Sequence, residues 1–137
     1  MNNNWVYFGV FLDKNSVSLI LNKIGKYIPN DWKIYCHHMT IAFNNKTDKV
    51  EQLYQSYKER FGEKVNITIT GIGMSNDALA VKVNFQGQTM NNIPHITIAT
   101  PLNGKPVNSN FITNWKTFKQ PFIVTGILNV FSQKRFN

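Results

Sequence analysis

Two pentapeptides in this chain nearly coincide: His38-Met39-Thr40-Ile41-Ala42 and His95-Ile96-Thr97-Ile98-Ala99. Both alternate polar and apolar residues, the period-two pattern of a strand whose two faces meet different surroundings. Histidine and threonine, two positions apart, then share one face, while Met39 or Ile96 points the other way. The repeat therefore demands a sheet in which two strands each bury one side and present an imidazole and a hydroxyl on the other. Two of the chain's three histidines are committed to these segments.

The rest of the chain alternates strand and helix signals. Trp5 to Leu12 is β-branched and aromatic throughout, as in a strand covered on both faces. Asp13 to Ser16 supplies turn and cap chemistry, and helical spacing runs from Val17 to Ile28 before Pro29-Asn30. Residues 33–43 read as the first histidine-bearing strand. A second helix, capped by Thr47 or Asp48, carries Val50, Leu53, Tyr54, Tyr57 and Phe61 on one face and stops at Gly62. A hairpin over 65–85, the second histidine strand at 95–100, a short helix over 109–118 and a last strand over 122–131 complete the order β-α-β-α-β-β-β-α-β.

Each His-x-Thr strand is followed by a predicted helix and then by a Thr-Gly-Ile segment, at Thr70-Gly71-Ile72 and Thr125-Gly126-Ile127. This echo predicts an α+β fold of two duplicated β-α-β lobes, related by an approximate twofold axis. A central cleft between two antiparallel sheets would then carry one histidine on each side.

At 137 residues the chain fits one domain, 1–137, able to bury a core without covalent staples. Its net charge of +8 favours anionic partners such as nucleotides or short RNA. The basic residues form no dense run, so a polybasic arm is not expected. The single cysteine, Cys36, excludes an internal disulfide and offers no zinc spacing; a buried, inert thiol is its expected state. The N-terminal Met-Asn-Asn-Asn-Trp lacks the regions of a signal peptide, and no apolar run reaches membrane-spanning length. Those features read as a cytoplasmic protein with no membrane association and no obligate protein partner.

The paired motifs resemble those of the 2H phosphoesterases, which carry two His-x-Ser/Thr motifs on central strands of a two-lobed α+β fold. The motifs here, His38-Met39-Thr40 and His95-Ile96-Thr97, lie 57 positions apart (95 minus 38). Tyr7-Phe8-Gly9-Val10 is similar to the first strand of the cyclic phosphodiesterase domain of fungal tRNA ligases. Where many bacterial relatives have an arginine in that strand, this chain reads Trp-Val-Tyr-Phe-Gly. The resemblance implies a phosphodiesterase acting on an RNA 2′,3′-cyclic phosphate, a 2′-5′ oligoadenylate or a cyclic oligonucleotide messenger. The last two would suit a viral counter-defence enzyme in a host cytoplasm, and the short Asn- and Lys-rich chain would fit a phage or viral gene.

The residues can support that chemistry directly. Cleaving a phosphodiester needs a base, an acid and stabilisation of charge on the phosphoryl oxygens. Histidine, with an ordinary pKa near 6.5, can fill either proton-transfer role. His38 and His95 are the expected acid–base pair, and Thr40 and Thr97 the expected donors to phosphate oxygens. Neither a metal nor another cofactor is required. Tyr7 is the expected substrate-binding aromatic; Trp5, Trp32, Tyr35 and Trp115 could also stack on a base, and Lys134 and Arg135 could meet phosphate. Strand alternation turns His37 away from the site. The competing reading is a non-catalytic RNA- or nucleotide-binding module that keeps the same cleft; a structural partner protein would leave the paired motifs unexplained.

Overall fold

The computed structural model describes residues 4–133. Seven strands run in chain order: β1 Trp5–Leu12, β2 Lys33–Ile34, β3 His38–Phe43, β4 Lys64–Met74, β5 Leu79–Asn84, β6 His95–Thr100 and β7 Trp115–Ser132. Two α-helices, α1 Lys14–Ile24 and α2 Asp48–Tyr57, lie among them, with 3₁₀ segments at Gly25–Tyr27, Lys58–Arg60 and Pro106–Phe111. All strand pairings are antiparallel, in the order β2-β6-β3-β1-β7-β4-β5. The far strand β5 returns to pair with β6, so six strands close into a barrel with β2 as a flap on β6.

This closed barrel corrects the expected fold class. A duplicated pair of β-α-β lobes would leave two separate sheets facing each other across a cleft. Here β6 is bonded to β3 on one edge and to β5 on the other, so the two histidine strands are direct neighbours. The two Thr-Gly-Ile segments have a packing explanation within the barrel. A side chain at Gly126 would meet the Phe11 carbonyl of β1 at 2.6 Å, and one at Gly71 the Lys116 carbonyl of β7 at 2.6 Å. Glycine is needed at both because neighbouring backbone comes too close for a Cβ.

The helix expected over 109–118 is also absent. Pro106–Phe111 is a 3₁₀ segment, and β7 begins at Trp115. Ile112, Thr113, Trp115, Thr117 and Phe118 are β-branched or aromatic, and an available ladder to β4 outweighs their weak helical preference. Pro121 would ordinarily interrupt such a strand. Two steps along β4, from Ile69 to Gly71, oppose five along β7, from Phe122 to Thr117, so Pro121 sits in a bulge where no ladder donor is required.

Both α-helices start where cap chemistry places them. The Asp13 carboxylate accepts from the Ser16 N–H at 2.8 Å, and the Thr47 hydroxyl from the Val50 N–H at 3.4 Å. Their apolar stripes bury Ile20, Ile24, Val50 and Tyr57 against the sheet. Fully buried Phe8 packs its ring against Tyr54, Tyr57 and Phe61 at centroid distances of 5.5–5.9 Å. Burial of one such side chain contributes about 1.5–3 kcal/mol. Met39, Ile41, Ile96 and Ile98 join this core. By strand alternation, His38, Thr40, His95 and Thr97 face the opposite side. No helix among the described residues is long and apolar enough to cross a membrane.

Candidate active site

The strand expected over 33–43 is interrupted at Tyr35–His37, and this interruption shapes the site. Ile34 pairs with Ala99 and Met39 with Ile96, so five steps on one strand oppose three on the other. The two extra residues are absorbed where Cys36 adopts φ 55°, a left-handed conformation that breaks strand alternation. The Cys36 N–H donates to the Thr97 carbonyl at 2.9 Å, and Leu12 N–H donates to the His37 carbonyl at 2.9 Å. The kink is thus pinned from β6 on one side and from the end of β1 on the other.

Beyond the kink, the pairing of Met39 with Ile96 sets His38 opposite Thr97 and Thr40 opposite His95. All four line one cavity of about 310 Å³. Gly9 makes this possible on the β1 side. Its missing side chain leaves room for the Met39 carbonyl and the Thr40 backbone, which a Cβ would strike.

The two histidines have different surroundings. His38 stacks on Tyr7 (4.8 Å, 24°) and packs against Phe11 (5.5 Å). Burial, then the positive character of His37 and of His95, pulls its pKa from 6.5 down to about 4. His95 is 8% exposed, and its Nδ1 lies 2.8 Å from the Ile93 carbonyl. A carbonyl can only accept, so Nδ1 carries the proton there and Nε2 is left for the site. Burial also lowers the His95 pKa, but hydrogen bonds to Ile93 and to the Asn110 side chain oppose that shift.

Thr40 is half-buried at the cavity wall. Thr97 Oγ1 lies 2.9 Å from the hydroxyl of buried Ser109 and 3.3 Å from the Pro106 carbonyl, which ties β6 to the 3₁₀ segment. Tyr7 lines the cavity too, stacked with His38, Phe11 (5.9 Å) and Phe131 (5.3 Å).

Residues that strand alternation and motif reading missed are His37, Phe43, Asn91 and Asn110, all of which line the cavity. His37 arrives there because the kink breaks the alternation. Phe43 directly follows the first pentapeptide, and its position next to the motif was the available signal. Nothing local marks Asn91 or Asn110; loops bring them in. Of the other aromatic candidates, Trp5 is buried and stacked on Tyr54 (4.8 Å, 8°), Trp32 packs on the core, and Tyr35 lines the cavity. Burial raises the Cys36 thiol to about 11, which leaves it protonated and inert at neutral pH. Lys134 and Arg135 lie outside the described residues. Among the described residues no lysine or arginine lines the cavity, and no three His, Cys, Asp or Glu side chains are placed to hold a metal ion.

Three histidines and two threonine hydroxyls thus line one small cavity. Residues 13–131 match the fungal tRNA ligase phosphodiesterase domain, and the chain belongs to that family, which is one of the 2H phosphoesterases. The match begins after β1, so the likeness of Tyr7-Phe8-Gly9-Val10 to that domain's first strand is no part of it. No curated protein matches the chain.

Proposed function

We propose that the protein is a metal-independent phosphodiesterase acting on a nucleotide, with an RNA 2′,3′-cyclic phosphate end as the leading substrate class. The observation that carries this reading is the convergence of both His-x-Thr pairs, from adjacent strands, on one cavity. His38, drawn to a pKa of about 4, is neutral at working pH and suits the general base. His95, whose bonds to Ile93 and Asn110 favour its charged form, suits the general acid. The negative charge of a bound phosphate raises the proton affinity of both, and His95 alone of the two has hydrogen bonds, to Ile93 and Asn110, that already favour its charged form.

Thr40 and Thr97 donate to the non-bridging oxygens in this scheme. A threonine hydroxyl has one proton, so Thr97 can donate it to phosphate only by accepting from Ser109. Stacking of Tyr7 on His38 fits a role in holding the base in position, in addition to the substrate contact expected of it. Phe43 (46% exposed) and Tyr35 are then the rings available to a nucleobase.

The test is a panel of RNA cyclic-phosphate ends, 2′-5′ oligoadenylate and cyclic di- and trinucleotides, assayed with EDTA present and with products resolved by chromatography. Turnover of one class in EDTA is the expected result. Binding without turnover across the panel would favour the non-catalytic module, and activity restored only by a divalent ion would remove the two-histidine mechanism.

A further inference from the structure

A second cavity, of about 300 Å³, adjoins the first and shares His95, Asn91 and Asn110 with it. The His95 imidazole is therefore a wall common to both. Beyond it the second cavity is lined by Asn92, Ser109 and Trp115. Each asparagine side chain offers donors and an acceptor side by side, the pattern that matches the edge of a nucleobase, adenine above all. The indole of Trp115 is fixed by its Nε1–H donating to the Ile112 carbonyl at 3.1 Å, and an indole held in place is a stacking surface.

The walls are built in advance of any ligand. Met90 N–H donates to the Ile41 carbonyl at 2.8 Å, which anchors the Asn-bearing loop to β3, and the Thr89 hydroxyl donates to the Asn91 carbonyl at 2.7 Å, which braces the loop internally. On the opposite side the bond between Thr97 and Ser109 anchors the 3₁₀ segment that carries Asn110. A volume of 300 Å³ is at the small end for ligand pockets, which run from about 300 to 1,000 Å³, so it suits one base and not an oligonucleotide.

We propose that this second cavity is a nucleobase subsite, so that a substrate with a nucleoside on each side of the scissile phosphate makes a contact there that a cyclic-phosphate end does not. The proposal rests on the phosphodiesterase reading for the position of that phosphate. Held between His38 and His95, a phosphate turns the oxygen nearest His95 toward the second cavity. The nucleoside attached to that oxygen enters the amide-lined space, and the other nucleoside lies along Tyr35 and Phe43.

The experiment compares 2′-5′- and 3′-5′-linked diadenosine monophosphate with adenosine 2′,3′-cyclic phosphate, in the wild type and in Asn92→Leu. Asn92 is exposed and lines only the second cavity, so its replacement leaves the fold and the first cavity in place. Wild type should turn over one of the two diadenosine linkages with a measurable kcat/KM. Asn92→Leu should lower that value about tenfold while leaving the cyclic mononucleotide unchanged. Equal loss on both substrates, or no loss on either, overturns the subsite. Calorimetric binding of the same diadenosine probes separates this proposal from the one beneath it. Binding weakened by Asn92→Leu with no cleavage of any of the three substrates, the cyclic phosphate included, upholds the subsite and sinks the phosphodiesterase reading. Cleavage indifferent to Asn92, or no binding at all, sinks the subsite.

Discussion

The two His-x-Thr segments are almost the same peptide, yet the barrel treats them differently. On β3, His38 is wrapped by rings, with Tyr7 and Phe11 against it and His37 close by. On β6, His95 is wrapped by hydrogen-bond acceptors and amides, with the Ile93 carbonyl and Asn110 in contact. Rings exclude water and offer a charged imidazole no hydrogen bond, whereas a carbonyl accepts one from it. Identical side chains thereby acquire unequal proton affinities, which is what an acid–base pair requires. The threonines diverge in the same way, since Thr97 is tied to a buried serine while Thr40 simply faces the cavity.

The hardest blow to this contrast is removal of either imidazole. His38→Ala and His95→Ala should each lower kcat by about 10²–10⁴-fold while circular dichroism stays native, because both side chains face the cavity and not the core. If one variant keeps near wild-type turnover, the division of roles fails.

Next in size is Gly9→Ala, which attacks the β3 side alone. Its methyl group would push against the Met39 carbonyl and the Thr40 backbone. Overpacking of this kind costs about 1–3 kcal/mol, and a clash with backbone belongs at the upper end. Thermal unfolding should register the loss, with activity falling in step. A variant of unchanged Tm would mean that β1 and β3 are less tightly apposed than the contacts around Gly9 require.

The threonines sharpen the comparison. Loss of one phosphate-directed donor can cost up to about 2.7–4 kcal/mol, and with other donors present each single loss should fall below that. Thr97→Val should in addition destabilise the fold by about 1–3 kcal/mol, because it strands the buried Ser109 hydroxyl. Thr40→Val should slow turnover without that second effect. Denaturant midpoints that move equally in the two variants would contradict the asymmetry.

The pH dependence reads both histidines together. Activity should rise as His38 gives up its proton, near pH 4 in the free enzyme, and fall as His95 gives up its own below 6.5, so kcat/KM should peak on the acid side of neutrality. The two limbs belong to an interacting pair. Stability moves with the same protons. Both imidazoles have folded pKa values below 6.5, so the unfolded chain binds more protons in acid, and stability present above 6.5 is lost as pH falls toward 4. The smallest expected change is in Tyr7→Leu, which uncovers one face of His38 and should carry the acid limb of kcat/KM toward higher pH. An acid limb that stays put would show that Tyr7 does not set the environment of His38.

Much of this was written locally. The period-two alternation of the two pentapeptides sufficed for two strands with His38 and Thr40, and His95 and Thr97, on their free faces. Asp13 and Thr47 marked both helix starts, because a cap acts within three residues of itself. What alternation could not carry was anything that depends on a neighbour in space. Closure of the barrel turns on β6 finding β5 as well as β3, a pairing with no local signature. The stretch after Pro106 was a helix by its own short pattern and became β7 because β4 offered it a ladder. His37 entered the cavity because two extra residues had to be absorbed at Cys36, a count that exists only once two strands are in register. Sequence alone determined which groups could do chemistry. The tertiary structure decided which of them meet and how strongly each histidine holds its proton, because burial and hydrogen-bond partners come from residues far away in the chain.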